Sequence, residues 1–157
     1  MSNSFNITIK DNTGAVMAEF EKRVELALKA VGSQAEAYAK LSVTDAQRDG
    51  IDLTQYGEYD NSRVDRGQLR NSITHVVKDG AVYIGSDTPY APYHELGTGI
   101  YASQPGGRQS PWMYYNRKLG TYMQTKGLYP LHFLKNAASM HLEEYARIIN
   151  EILAKGQ

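Results

Sequence analysis

The feature that most constrains this chain is a stripe of apolar residues near its start, long enough for about seven helical turns. Phe20, Val24, Ala27 with Leu28, Val31, Ala35 and Tyr38 recur every three or four positions between Ala15 and about Leu41. Glu19, Glu21, Lys22, Arg23, Glu25 and Lys29 fall mostly elsewhere. This spacing predicts one long amphipathic helix, roughly 40 Å in length. Just before it, "SFNITIK" alternates Phe5, Ile7 and Ile9 with polar residues, the period-two pattern of a strand with one buried face, and "DNTG" separates the two.

A second strong local signal lies at Asp79-Gly80, between the β-rich runs "SITHVV" and "AVYIG". An Asp-Gly pair between such runs predicts a tight β-hairpin. Ile73, His75 and Val77 then share one face, Thr74 and Val76 the other, with Val82 and Ile84 across the turn. Two polar stretches read as long loops: residues 42–70, with "RDG", "YGEYDN" and "DRG" and at most a short helix, and residues 100–129, with at most a short strand near Trp112 to Tyr115. Loops of that length in a compact domain are usually functional or become ordered on a partner. From Pro130 a second helix is expected, with Leu134, Ala138, Leu142, Tyr145, Ile149 and Ile152 as its stripe, ending near Gly156. Two long amphipathic helices against a small antiparallel sheet, with two long loops, make an α+β fold, and residues 1–157 show no repeat or linker that would divide them.

Composition narrows the function classes. The 157 residues balance 17 Lys+Arg against 17 Asp+Glu, without the basic excess expected of a chain that wraps a phosphate backbone. The absence of cysteine excludes disulfides, thiolate zinc sites and a cysteine nucleophile, and agrees with a reducing cytoplasm. Neither a signal peptide nor an apolar run of the ~20 residues needed to cross a membrane is visible, so a soluble protein of the cell interior, or one assembled inside a cell, is expected. The aromatic content is skewed, 12 Tyr against 3 Phe and 1 Trp. Tyrosine tolerates being half buried and half wet, which suits interfaces as well as wet-edged cores.

The densest functional signal is "PYAPYHELGTG", Pro89 to Gly99. His94-Glu95 invites comparison with the helical zinc-hydrolase motif, but the second histidine one turn later is missing, since position 98 is Thr. His75, His94, His132 and His141 are scattered, "GTG" lacks the strand and lysine of a phosphate loop, and no serine sits in a G-x-S-x-G elbow. No catalytic residue, metal ligand or cofactor site is therefore assigned. A docking loop accounts better for the composition. Pro89 and Pro92 stiffen Thr88 to Tyr93 into extended or tight-turn backbone, Gly97 and Gly99 supply special backbone conformations, and Tyr90 and Tyr93 offer large amphipathic surfaces. Glu95 would pair with a charge across the interface. The competing reading packs Tyr90, Tyr93 and Leu96 into the domain's own core as a strand or helical turn. A small metal-dependent hydrolase or ligand-binding domain using His94 and Glu95, and a DNA-contacting accessory protein, remain open alternatives.

Four short segments, in order, resemble one family. Gly67, Leu69 and Ser72 match a T-G-x-L-x-x-S segment, with Arg66 where threonine is usual. Ile84, Gly85 and Ser86 match the V-G-S-like end of a hairpin, with Ile84 in place of valine. Tyr90, Ala91, Glu95, Gly97 and Thr98 match Y-A-x-x-x-E-x-G-T, and Phe133, Leu134 and Ala137 match F-L-x-x-A, with Pro130 preceding them. The pattern resembles the siphophage tail-component family, head-tail joining or tail-completion proteins of tailed phages and prophages, in which a long helix also lies where Ala15 to Leu41 does. The resemblance implies a non-enzymatic structural protein of the virion neck or tail, assembled in the host cytoplasm. It implies a ring subunit, by analogy with tail-terminating rings a hexamer, that contacts copies of itself, the tail tube protein and head-connector or stopper proteins. DNA would pass through the lumen without specific binding, and no membrane is involved. Tyr90, Tyr93, Glu95, Thr98, Arg66 and Arg70 are the expected interface residues, with Asp79, Gly80, Gly97 and Gly99 as structural turn positions.

Overall fold

The computed structural model describes residues 10–45, 66–116 and 120–155. The strand expected at "SFNITIK" and most of the loop expected at 42–70 lie outside the described residues. Helix α1 runs from Thr13 to Asp45, a few residues beyond the expected stripe at each end. Its first turn is held by the Asp11 carboxylate, which accepts a hydrogen bond from the Thr13 amide at 2.8 Å and is thereby kept below the usual carboxylate range. A short helix α2, Arg66–Ser72, leads directly into strand β1, Ile73–Lys78, and strand β2, Ala81–Ser86.

The β1–β2 hairpin has the register that the Asp79-Gly80 turn dictates: Lys78 opposes Ala81, and Ile73 opposes Ser86. Both turn residues have positive φ, 52° and 72°, the left-handed pair of a type I′ turn whose twist matches that of the strands. One hairpin face lies on α1, carrying buried Ile73 and half-buried His75, Val77, Val82 and Ile84. The opposite face leaves the cross-strand pair Val76 and Tyr83 exposed. His75 reaches α1 at Gly32, where a Cβ would lie 2.3 Å from its ring, and its Nδ1–H donates to Glu36 Oε2 at 2.6 Å. Glu36 also accepts from Lys40. These two bonds, the Lys40 one foremost, hold its carboxyl below the usual range.

The expected second long helix is two helices, α4 at Phe133–Ser139 and α5 at Leu142–Ala154. The Ser139 hydroxyl donates back to the Lys135 carbonyl at 2.8 Å, an alternative partner of the kind that weakens helix interiors. Glu143 and Glu144 then sit in the first turn of α5, where carboxylates favour the helix dipole. The break lets both pieces pack on α1. At this seam Tyr38 stacks on His141, with centroids 3.5 Å apart, and donates to the Glu144 carboxylate. Tyr145 donates to the Ala137 carbonyl at 2.5 Å, and burial first, with Tyr38 and Glu144 nearby, raises its phenol above the ordinary value.

The core is built mainly from small side chains on α1, which let helices approach closely. Ala39 and Val43 meet Leu69, Ile73, Ala91, Phe133 and Ala137, while Val31 and Ala35 meet Tyr145. Phe133, Leu69, Ile73 and Val43 are the largest side chains shut off from solvent. Helices thus cover one face of a hairpin, the expected α+β class. The stretch expected as a second long loop departs from that reading: within it, Trp112–Asn116 (β3) and Thr121–Thr125 (β4) pair into a second hairpin. Its packing on other elements is slight.

Candidate interaction surface

The residues of "PYAPYHELGTG" do not form an extended loop. Thr88 accepts from the Ala91 amide at 3.0 Å, and with Pro92 near its start a short helix α3 spans Ala91–Leu96. Proline is tolerated in a first turn, where its missing N–H would have no intrahelical partner, so Pro92 starts a helix here instead of keeping the backbone extended. Gly97 ends it at φ 73°, and a 3-10 turn follows at Gly99–Tyr101.

This helix and turn are clasped by a segment thirty to forty residues away. The His94 and Glu95 carbonyls accept from the Leu131 and His132 amides at 2.7 and 3.2 Å. Thr98 accepts from the Leu128 amide through Oγ1 at 2.8 Å and donates its own amide to the Leu128 carbonyl at 2.8 Å. The backbones touch at Gly99 and Gly127. A Cβ on Gly99 would lie 1.9 Å from the Lys126 carbonyl oxygen, and one on Gly127 would lie 2.0 Å from that of Thr98. Both glycines also hold positive φ, so two constraints coincide at each position.

Glu95 has a role that its sequence position concealed. Its two carboxylate oxygens accept from the Leu134 and Lys135 amides, at 2.8 and 3.0 Å. These are first-turn donors of α4, a helix with no side-chain cap from its own preceding residue, His132. A carboxylate here satisfies two orphan N–H groups and meets the positive end of the helix dipole. Glu95, expected to pair with a charge across an interface, caps an internal helix in the folded chain. Thr98 is likewise committed within the clasp. Tyr90 packs against the main core cluster, with its hydroxyl donating to Gln68 Oε1 at 3.3 Å. His94 is buried, edge-on to Tyr90.

The four resembling segments converge here. Leu69 is buried beneath Tyr90's cluster, and Ser72 Oγ lies 2.6 Å from Ser86 Oγ, which in turn accepts from the Thr88 amide at 3.2 Å. Ser86 of the hairpin end is thus joined to α2 on one side and to the start of α3 on the other. Sequence reasoning found the segments but not that they form one clasp. The only signal was their order, because the partners are distant in sequence.

The exposed surface lies elsewhere. Among the named interface residues, Tyr93 is 59% exposed and Arg70 is exposed on α2, while the side chain of Arg66 lies outside the described residues. Leu96 is part-exposed and Tyr93 points outward, so the core reading holds for Tyr90 alone among the three apolar residues weighed for it. Larger apolar exposure occurs at the β3–β4 hairpin, where Met113, Tyr115 and Tyr122 are more than half exposed, and along the first half of α1 at Val16, Met17 and Phe20. Sequence reasoning had placed the 100–129 stretch among the candidate surfaces, but not the first half of α1. Among the described residues no group of three His, Asp or Glu is arranged to hold a metal ion, and no helix is long and apolar enough to cross a membrane.

Among known proteins, no protein-family model, no curated protein and no solved structure matches this chain.

Proposed function

We propose that this chain is a structural, non-catalytic subunit of a tailed-phage virion that joins head to tail or caps the tail tube as a member of a ring. The observation that supports this best is that four segments resembling the tail-component family meet in one clasp while large apolar side chains stay bare outside it. A clasp of backbone bonds and a helix cap holds shape. Tyr93, Met113, Tyr115 and Tyr122 are the kind of side chains that bury well at a protein interface. Subunits of a ring use two different surfaces that close by rotation, and the chain exposes apolar side chains in more than one place. In this reading the protein works at the virion neck or tail, contacts its own copies, the tail tube and the head connector, and lets DNA pass without specific binding.

Native mass spectrometry over a wide concentration range, with and without the cognate tail-tube protein, tests the reading. A closed ring, six subunits by analogy with tail terminators, is the expected result. A strict monomer under both conditions would refute it.

A further inference from the structure

Among the described residues the β3–β4 hairpin and the first half of α1 both leave apolar side chains exposed, and the two surfaces are complementary. The hairpin is a two-stranded ribbon, a form only marginally stable alone in water. Tyr115 and Tyr122 meet edge to face across the strands at 5.3 Å and are exposed together with Met113. Its base is fixed by the clasp, through the amide of Ile100 donating to the Lys126 carbonyl and that of Thr98 to Leu128. It therefore projects as an aromatic arm from a rigid root. The chain from Leu96 to Leu142 contains no Asp or Glu, and the arm is flanked by exposed Arg108 and Lys126.

The other surface is concave. Met17, Phe20, Val24 and Leu28 continue the α1 stripe beyond the packed core and, with Val77 at the tip of the first hairpin, line an open groove of about 490 Å³. Its charged groups are Glu21, Glu25, Lys78 and Asp79. Lys29 pairs with Glu25 at 2.6 Å and Lys78 lies 4.0 Å from Asp79, which leaves the rim acidic through Glu21. Among the described residues the arm and α1 make no extended contact within one chain.

We infer that the β3–β4 arm of one copy seats its exposed aromatic face in the α1 groove of a second copy, with Arg108 and Lys126 facing the Glu21 side of the rim. This inference rests on the ring reading above and names both halves of its subunit contact. A projecting arm and a groove at different places on the same chain give head-to-tail association, which closes into a ring or propagates.

The chain's lack of cysteine makes site-specific cross-linking clean. Gln124→Cys on the arm and Lys78→Cys on the groove rim, both exposed, are mixed and joined with a short bis-maleimide. The covalent dimer is expected at least about tenfold above either variant alone, and Phe20→Ser or Tyr115→Ser should remove it without changing Tm. Glu21→Lys and Arg108→Glu should each weaken it and together restore it. Equal cross-linking of one variant with itself would mean a symmetric contact and overturn the inference. So would an intrachain product from Ile7→Cys with Phe20→Cys, which would give the groove to the chain's own first residues. Tyr115→Ser abolishing retention on duplex DNA, with no arm-to-groove product, would assign the arm to nucleic acid instead. Oligomers by native mass spectrometry without the mixed product would defeat this contact but leave the ring; a monomer at every concentration would defeat both.

Discussion

Replacing Glu95 by alanine separates the two roles this residue can have. The carboxylate bonds the Leu134 and Lys135 amides at 2.8 and 3.0 Å, and the preceding residue supplies no other side-chain cap to α4. Loss of a cap typically costs about 1 kcal/mol, and hydrogen bonds to a charged group contribute about 1.5–3 kcal/mol. Glu95 is only part-exposed, and α4 carries Phe133 and Ala137 into the main core cluster, so water cannot fully replace both bonds while the helix stays packed. The expected loss is about 2–3 kcal/mol, or a fall in Tm of about 4–12 °C for a domain of this size. Glu95→Gln keeps one acceptor oxygen and should fall between parent and alanine. Urea denaturation and calorimetry of the three proteins provide the measurement. A Glu95→Ala protein with Tm within about 1 °C of the parent, yet unable to assemble, would refute the capping argument and restore Glu95 as an interface charge.

Three further outcomes are expected. Gly99→Ala should destabilise by more than about 2 kcal/mol, because the new Cβ meets the Lys126 carbonyl at 1.9 Å and the residue must also hold φ 63°; denaturant midpoints against the parent would reveal it. Tyr93→Ala, at a side chain 59% exposed, should change stability by less than about 0.5 kcal/mol while blocking head-to-tail joining in an assembly assay; a collapse in Tm would place the ring in the core instead. The Lys40 and His75 bonds depress the Glu36 carboxyl in the folded protein, so its contribution is present above the unfolded value near 4.5 and is lost as pH falls through the lower folded value. Tm profiles of the parent and Glu36→Gln should therefore differ most above that pH and converge in more acidic buffer. A constant gap would show that Glu36 acts through packing and not through its charge.

Much of the fold was legible because its causes are local. The α1 stripe needs only a repeat of three to four residues, and the observed helix overlaps it with a few residues added at each end. Asp79-Gly80 needs only two residues able to hold positive φ between β-rich runs, and the register follows from the turn. The break between α4 and α5 was harder to read, since Leu134, Ala138, Leu142 and Tyr145 keep helical spacing across it. What divides them is competition for a carbonyl at Ser139 and a favourable new start before Glu143 and Glu144. The β3–β4 hairpin was read only as far as one strand. Its turn lacks the short Asp-Gly signal, and large apolar side chains stand on both faces, Trp112, Tyr114 and Met123 on the half-buried one and Met113, Tyr115 and Tyr122 on the exposed one, so no alternation of apolar and polar residues marks the strands.

The candidate site divides along the same line. Composition and pattern alone determined that "PYAPYHELGTG" is special: two prolines and two glycines limit its backbone, and its aromatics must be placed deliberately. They did not determine what the side chains face, because that depends on residues brought together from thirty to forty positions away. Glu95 in a linear reading is a charge awaiting a partner, and in the folded chain its partners are the amides of Leu134 and Lys135. Gly99 in a linear reading is a turn position with a special backbone conformation, and in the folded chain it is also the space that the Lys126 carbonyl occupies. Backbone conformation is written in neighbouring residues, so the sequence declares it. Burial and hydrogen-bond partners belong to long-range packing, and only the tertiary structure decided that Tyr93 faces outward while Tyr90, Glu95 and Thr98 hold the domain together.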